Sequence, residues 1–437
     1  MTRFLLIVGE QSGHNSPLFR LSNLISASEE HHAILFGPNQ VRDAVSNVVF
    51  QNYLPDGSPL TSMQEAALKL LDEWGFPPSV QLLGESLTHQ AILFSVYLLT
   101  KTNLVDRIQS FNPDAIISDS GYLWSFLIAK ILDLPFISSC SSALQTDAER
   151  EFDLREIDFV KKSITVMKDE YGIDYDAADC YRNYSDFTIS WSLPELDPHQ
   201  SEFPDVHYFG AAIPINDLDR PLTDDLALEI KSFKGKKIFV SMGTVVGQKK
   251  WTLSLDNFFR EVFAAFGGDP DLMVVVSAGP RYDLEKLPDF IPSNFRIRQK
   301  VAQKEILRVV DVFVSHGGNN SIHEALFFAT PLLVIPIFGD QHQNASVVAS
   351  NSLGLQLASP FAPKPSPNLD YITKDIILAN VKELFSCHDF FKKNCKFMQN
   401  KLVSRSKWVE EEGVSKIDIF TKEKKESTHW KEVLSFD

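Results

Sequence analysis

Short apolar runs recur along this chain at intervals that leave room for a helix between them. In the first half they are Phe4–Val8, Ala33–Phe36, Ala115–Ser118, Pro135–Ser138, Phe187–Ser190 and Val206–Phe209. Most are nearly continuous in apolar residues, which fits parallel strands buried on both faces. The intervening segments, such as Pro17–Ser26 and Leu123–Leu132, are long enough to serve as crossover helices. Ile213–Thr223 breaks the pattern with Pro214, Pro221, Asp217 and Asp219 and reads as a linker. The alternation then restarts with Lys237–Ser241, Leu272–Ser277, Phe295–Val301, Val312–Ser315, Leu332–Ile337 and Leu355–Leu357. The pattern predicts an α/β chain of two doubly wound, Rossmann-like domains facing across a cleft. Their expected spans are 1–212 and 234–415, with a linker over 213–233 and a terminal helix over 416–437.

Composition narrows the function classes. The chain has 437 residues, 44% of them hydrophobic, and a formal net charge of −15. That balance argues against wrapping a nucleic-acid backbone and against general adhesion to anionic membranes. The four cysteines form no C-x-x-C pair, so they read as reduced thiols. The apolar run after Met1 is too short for a signal-peptide core, and no run approaches the ~18 apolar residues of a spanning helix. The expected setting is the cytoplasm, with room for peripheral membrane contact, as a monomer or homodimer.

In a doubly wound sheet, ligands bind beyond the C-terminal ends of the strands. The richest such position is Val312-Phe-Val-Ser-His316-Gly317-Gly318-Asn319-Asn320-Ser321-Ile-His-Glu324. A strand runs into a His-Gly-Gly turn and then into helical spacing. Two glycines allow close backbone approach, and the amides opening a helix suit a phosphate. The same residues also fit a plain strand–turn–helix in which Ser321 and Glu324 form a capping box. After the next strand come Asp340 and Gln341, placed to bond sugar hydroxyls.

Taken together, Gln303 to Asn344 resembles the donor-binding signature of the UDP-glycosyltransferases, family 1 of the two-domain GT-B enzymes. Counted from His316, the pattern has Ser at +5, Glu at +8, Asp at +24 and Gln at +25, and this chain has Ser321, Glu324, Asp340 and Gln341 there. The 13-residue spacing from Gln303 to His316 looks most like the bacterial macrolide-type branch. Ser241-Met-Gly243-Thr244 looks like the family's phosphate loop. The resemblance implies that His316, Gly317, Gly318, Asn320, Ser321 and Thr244 hold the diphosphate. It implies further that Glu324 binds the ribose, Asp340 and Gln341 the sugar, and that Gln303 lies near the uracil. Two positions depart from the pattern: Lys300 stands where the base-stacking Trp is usual, and Ala302 replaces the Pro before the Gln. The departure at Lys300 leaves UDP and dTDP donors both open.

The resemblance also implies that the terminal helix over 416–437 packs back on the first domain, and that this domain holds a general base, a Gly-His before a Pro-started helix. Here that is Gly13-His14, with Pro17 following. A neutral imidazole can take the proton of an acceptor hydroxyl as the glycosidic bond forms. A buried carboxylate that holds its other nitrogen would stabilise the imidazolium. Asp119, at the end of Ile116-Ile117-Ser118, matches the family's partner Asp. The expected catalytic pair is therefore His14 and Asp119. The three D-x-D sequences at 174–176, 217–219 and 269–271 lie in linker-like contexts, and no metal site or cofactor is expected beyond the nucleotide-sugar co-substrate.

The resulting expectation is an inverting, metal-independent hexosyltransferase acting on a small hydrophobic hydroxylated acceptor. The aromatic residues Trp74, Phe76, Phe94, Tyr97, Tyr171 and Tyr175 either shape the acceptor pocket or are ordinary core. The alternatives are another GT-B enzyme, a lipid-linked GlcNAc transferase or a nucleotide-sugar epimerase, or a non-catalytic nucleotide-sugar-binding protein. In an acidic chain the positive potential for a diphosphate has to be local, from helix ends, amides and His316.

Overall fold

The computed structural model describes residues 1–9, 12–44, 48–53, 63–77, 87–144, 157–176, 185–243, 252–280, 282–287, 290–337, 339–357, 369 and 371–434. These form two compact units. The first comprises Met1–Trp191, His199–Ala212 and Trp408–Asp437; the second comprises Ser192–Pro198 and Ile213–Lys407.

The first unit is built on β1 (Thr2–Ile7), β2 (His31–Gly37), β3 (Val49–Asn52), β4 (Ala115–Asp119), β5 (Phe136–Cys140), β6 (Phe187–Ser190) and β7 (Val206–Tyr208). They form one parallel sheet in the order β3-β2-β1-β4-β5-β6-β7. The apolar runs explain the central strands: Phe4, Leu5, Leu6 and Ile7 alternate between the two faces and all are buried, because helices cover both sides. At about 2 kcal/mol per buried large aliphatic side chain, this strand anchors the unit. The edge strand β3, half-exposed and of mixed character, carries no such signal in the sequence and is an addition to the expected set. His31, which reads as a surface histidine in sequence, is buried in β2 against the edge of Phe4.

The second unit contains β8 (Lys236–Ser241), β9 (Leu272–Ser277), β10 (Phe295–Arg298), β11 (Val312–Ser315), β12 (Leu332–Val334) and β13 (Gly354–Gln356). Their order is β10-β9-β8-β11-β12-β13, again all parallel. The strands expected over Phe295–Val301 and Leu332–Ile337 are shorter at their C-terminal ends, where the chain leaves the sheet to build loops. Each sheet has one topological switch point, between β1 and β4 in the first and between β8 and β11 in the second. Adjacent strands there send their connections to opposite faces, which opens a crevice at their C-terminal ends.

Residues Ile213–Thr223 pack into the second unit, where Asp217 is buried and pairs with Lys304. The tail from Trp408 belongs to the first unit. It begins with a π-helical turn, Val409–Gly413, and continues as the helix Val414–Leu434. Val409 and Ile417 are buried in the cluster that holds Phe4, Leu6 and Phe209. Thr2 bonds Asp418, and Lys424 and the exposed Lys425 pair with Asp186 and Asp114. Among the described residues no helix is long and apolar enough to cross a membrane.

Candidate active site

In the first unit, the switch point gathers residues from the ends of β1, β4 and β5. The chain leaves β1 through a turn fixed by Asn15. The Gly9 N–H donates to Asn15 Oδ1 at 3.0 Å, and Asn15 Nδ2 donates to the Gly9 carbonyl at 2.7 Å. Gly9 is required by space: a Cβ there would lie 2.3 Å from the Tyr122 hydroxyl oxygen. This clamp lets the helix begin at Ser12, one turn before Pro17, where proline's preference for a first helical position would start it. His14 thus stands in the first turn of the helix rather than in a loop before it. Asn15→Ala strips both partners from a buried turn and is expected to cost about 2 kcal/mol in urea unfolding. An unchanged unfolding midpoint would show that the clamp does not hold the turn.

His14 Nδ1 lies 2.9 Å from Asp119 Oδ1. Asp119 is the last residue of β4 and its side chain is 1% exposed, whereas that of His14 is 34% exposed. The Gly121 N–H donates to the same Oδ1 at 2.9 Å. Ser141, just past β5, lies 2.5 Å from Asp119 Oδ2 and 2.9 Å from His14 Nδ1. Asp119 is therefore not a helix cap; the helix Leu123–Ile131 has Tyr122 at its N-cap. Next door, burial pushes the Cys140 thiol up to about 12, which makes it inert as a nucleophile. The arrangement is a buried carboxylate orienting a histidine whose ring is open to solvent.

In the second unit the crevice lies between the ends of β8 and β11. Gly243 has φ +78° and Gly317 has φ +87°, both in the left-handed region that favours glycine. A Cβ on Gly243 would meet the His316 ring at 2.6 Å, and one on Gly318 would meet His316 Nε2 at 2.5 Å. Two glycines thus close around one imidazole, while a Cβ on Gly317 would meet Val334 at 2.5 Å. Burial pushes the pKa of His316 down to about 4, and its Nδ1 is buried with no hydrogen-bond partner among the described residues. His316 is accordingly neutral near pH 7, so it brings a hydrogen-bonding group rather than the positive charge expected of it.

The helix Asn319–Phe327 starts at once after the turn, with Gly318 as N-cap and no side-chain cap on its first amides. The capping box does not form, because the helix begins before Ser321 and places Ser321 and Glu324 inside it. Asn320 and Ser321 lie in the first turn. Glu324 is drawn inward, where burial raises its pKa, and its Oε2 accepts from Gln303 Nε2 at 2.7 Å. The same Gln303 nitrogen lies 3.4 Å from Ser321 Oγ. Ser241 Oγ accepts from the Gly243 N–H at 3.4 Å, and Ser315 Oγ from the Gly317 N–H at 3.2 Å. Thr244 lies outside the described residues.

Asp340 and Gln341 open the next helix, Gln341–Ser350. Gln341 is buried and its Oε1 accepts from the Ile337 N–H at 2.9 Å, so its carbonyl oxygen braces the loop. Asn344, which has no place in the sequence expectation, donates to the Gly317 carbonyl at 2.9 Å and to Asp340 Oδ2 at 3.2 Å. It ties the Asp-Gln turn to the glycine turn. His323 is buried on the other side of the helix, its Nδ1 2.8 Å from the Asn319 carbonyl and its Nε2 3.0 Å from Ser192 Oγ. The carbonyl can only accept, so Nδ1 carries the hydrogen and Nε2 accepts from Ser192.

The expected second-unit residues that are described thus converge on the C-terminal end of one sheet. Residues 216–363 match the family described as UDP-glucoronosyl and UDP-glucosyl transferase. The matched segment lies within the second unit. A Bacillus subtilis protein named as an uncharacterized UDP-glucosyltransferase, YdhE, is 31% identical over 231 residues, which cover 49% of this chain and 54% of that protein. The chain spans between 54% and 62% of the length of three Bacillus subtilis relatives it matches. Over nearly the whole chain the fold is GT-B. It matches the crystal structure of the kitacinnamycin glycotransferase at TM-score 0.67 and 18% identity, covering 93% of this chain and 95% of that one. It matches the calicheamicin glycosyltransferase CalG4 at TM-score 0.67 and 17% identity, covering 97% and 99%.

The aromatic residues of the first unit lie in or against its core. Phe94, Tyr97 and Tyr175 are buried in the first unit's core, and Trp74, Phe76 and Tyr171 pack partly buried against it. The core alternative therefore accounts for these aromatic residues. The expected acceptor loops, 51–100 and 143–186, lie partly outside the described residues.

Proposed function

We propose that this protein is an inverting glycosyltransferase that moves a hexose from a nucleotide sugar, a UDP-sugar above all, to a hydroxyl of a small hydrophobic acceptor, without a metal. The observation that carries this reading is the solvent-open His14 imidazole held through Nδ1 by the almost fully buried Asp119 at 2.9 Å. With Nδ1–H donating to the carboxylate, Nε2 keeps its lone pair for the acceptor hydroxyl. As the acceptor oxygen bonds C1 of the sugar, its proton passes to Nε2. The bond from C1 to the diphosphate oxygen breaks, and the nucleoside diphosphate leaves with that electron pair. Asp119 stabilises the imidazolium that results.

The second unit supports the donor half. Close backbone approach at Gly243, Gly317 and Gly318, a His316 Nδ1 with no hydrogen-bond partner among the described residues and the helix start at Gly318 without a side-chain cap suit an anionic diphosphate. Ser241, Asn320, Ser321 and Thr244 would complete its contacts. Glu324 would take the ribose hydroxyls, Gln303 would sit by the base, and Asp340 and Gln341 would bond the sugar. The half-buried pair of Gln303 and Glu324 is already hydrogen-bonded, so ribose hydroxyls would meet a carboxylate held in place.

The test is a panel of UDP- and dTDP-sugars with hydrophobic phenols, sterols and polyketides, following nucleotide release. The expected result is release that requires an acceptor. Donor binding without acceptor-dependent release across the panel would instead support a nucleotide-sugar-binding protein.

A further inference from the structure

We propose that Ser141 is a positioning residue for the His14 base, and this rests on the transferase reading above. The geometry comes from the sheet order. β1, β4 and β5 are consecutive neighbours, and Asp119 is in register with Ser139, which places Ser141 one step beyond the carboxylate. Ser141 is 6% exposed, and its hydroxyl touches both members of the pair.

Counting hydrogens fixes the direction of each bond. An ionised Asp119 can only accept, so the 2.5 Å contact is Ser141 O–H donating to Oδ2. That uses the one hydrogen of the hydroxyl. The 2.9 Å contact between Ser141 Oγ and His14 Nδ1 then needs its hydrogen from the ring. Nδ1 carries it, shared between Asp119 Oδ1 and Ser141 Oγ, and Nε2 is left as the proton acceptor. The carboxylate meanwhile accepts from His14 and Gly121 on Oδ1 and from Ser141 on Oδ2. Donors on both oxygens stop the carboxylate from turning. Asp119 favours this tautomer by itself; Ser141 reinforces it with a second acceptor for the Nδ1 hydrogen and holds the ring plane with respect to the carboxylate.

Three variants test this: Ser141→Ala, Ser141→Thr and Ser141→Ala combined with Asp119→Asn. In the Ser141→Ala protein kcat for acceptor-dependent nucleotide release should fall about tenfold, with the nucleotide-sugar KM within about twofold of wild type. Ser141→Thr, which keeps the hydroxyl, should recover most of that loss. In the Asp119→Asn background the serine change should cost less than about twofold, because the two residues act as one unit. A tenfold loss that persists in that background, together with a raised nucleotide-sugar KM, would mean that the serine touches the donor, and would overturn the proposal. A second readout needs no turnover: the ring-nitrogen NMR signals of His14 in the resting protein. Wild type should show the Nδ1–H tautomer, Ser141→Ala a larger Nε2–H share, and Ser141→Thr the wild-type signals. Tautomer signals unchanged in Ser141→Ala would also overturn it. If wild type shows no acceptor-dependent release, the transferase reading fails, and the ring signals still decide whether Ser141 orients His14.

Discussion

His14→Ala is expected to lower acceptor-dependent nucleotide release by about 10³-fold while nucleotide-sugar affinity stays within about twofold. The split follows from where the residue sits. His14 belongs to the first unit, and the proposed donor contacts all come from the second. Removing the imidazole takes away the acceptor for the hydroxyl proton, so an un-ionised alcohol must attack. It leaves Gly243, His316, Gly317, Gly318 and Glu324 as they were. Isothermal titration with a UDP-sugar and a turnover assay on the same preparation measure both halves. Equal losses in binding and turnover would show that His14 holds the donor, and unchanged turnover would remove it from the mechanism.

The second large effect is on stability in mild acid. Burial pushes both His316 and His323 down to about 4 from an ordinary value of 6.5. Below about pH 6.5 the unfolded chain takes up protons that the folded chain refuses, so the unfolded state gains. Stability is complete above pH 6.5 and is lost progressively as the pH falls toward 4. The linkage amounts to about 3 kcal/mol for each histidine over that window. Burial depresses His207 in the first unit as well, in the same direction. Urea unfolding between pH 7 and 4.5 should show the loss, and His316→Gln should make it shallower by about one proton's worth of slope. A stability that stays flat over this range would mean that water reaches these rings. An anionic nucleotide bound at His316 should oppose the loss, because a nearby diphosphate favours the imidazolium.

Much of the proposed donor side can be read in the sequence because its residues are local. His316, Gly317, Gly318, Ser321 and Glu324 fall within one strand–turn–helix, so their spacing along the chain is also their spacing in space. The glycines are legible for the same reason: a turn with positive φ and no room for a Cβ leaves little choice of residue. What spacing could not decide was where the helix begins. Ser321 and Glu324 fit a capping box equally well until the turn places the N-cap at Gly318 and turns Glu324 toward Gln303. The charge of His316 was also out of reach, since it depends on burial by residues remote in the chain.

The pair in the first unit was found by resemblance and by strand ends, whereas its supports were not. Asn15 and Ser141 are ordinary residue types in unremarkable surroundings. They acquire roles because one folds back on Gly9 and the other lies two residues past the register partner of Asp119. The aromatic residues of the first half show the converse. As a list they fit a greasy pocket, and packing puts them in or against the core.

The α/β class, the parallel sheets and the His-Gly-Gly strand–turn–helix are legible along the chain, because hydrophobic periodicity and turn chemistry act over a few residues. Only the tertiary structure decided the strand order, and with it the meeting of β1, β4 and β5 that joins His14, Asp119 and Ser141. It also decided which ionisable groups lose their water, which sets the protonation of His316, His323 and Glu324. Both depend on contacts between segments far apart in the chain, whose energies are fixed by packing and desolvation rather than by any local pattern.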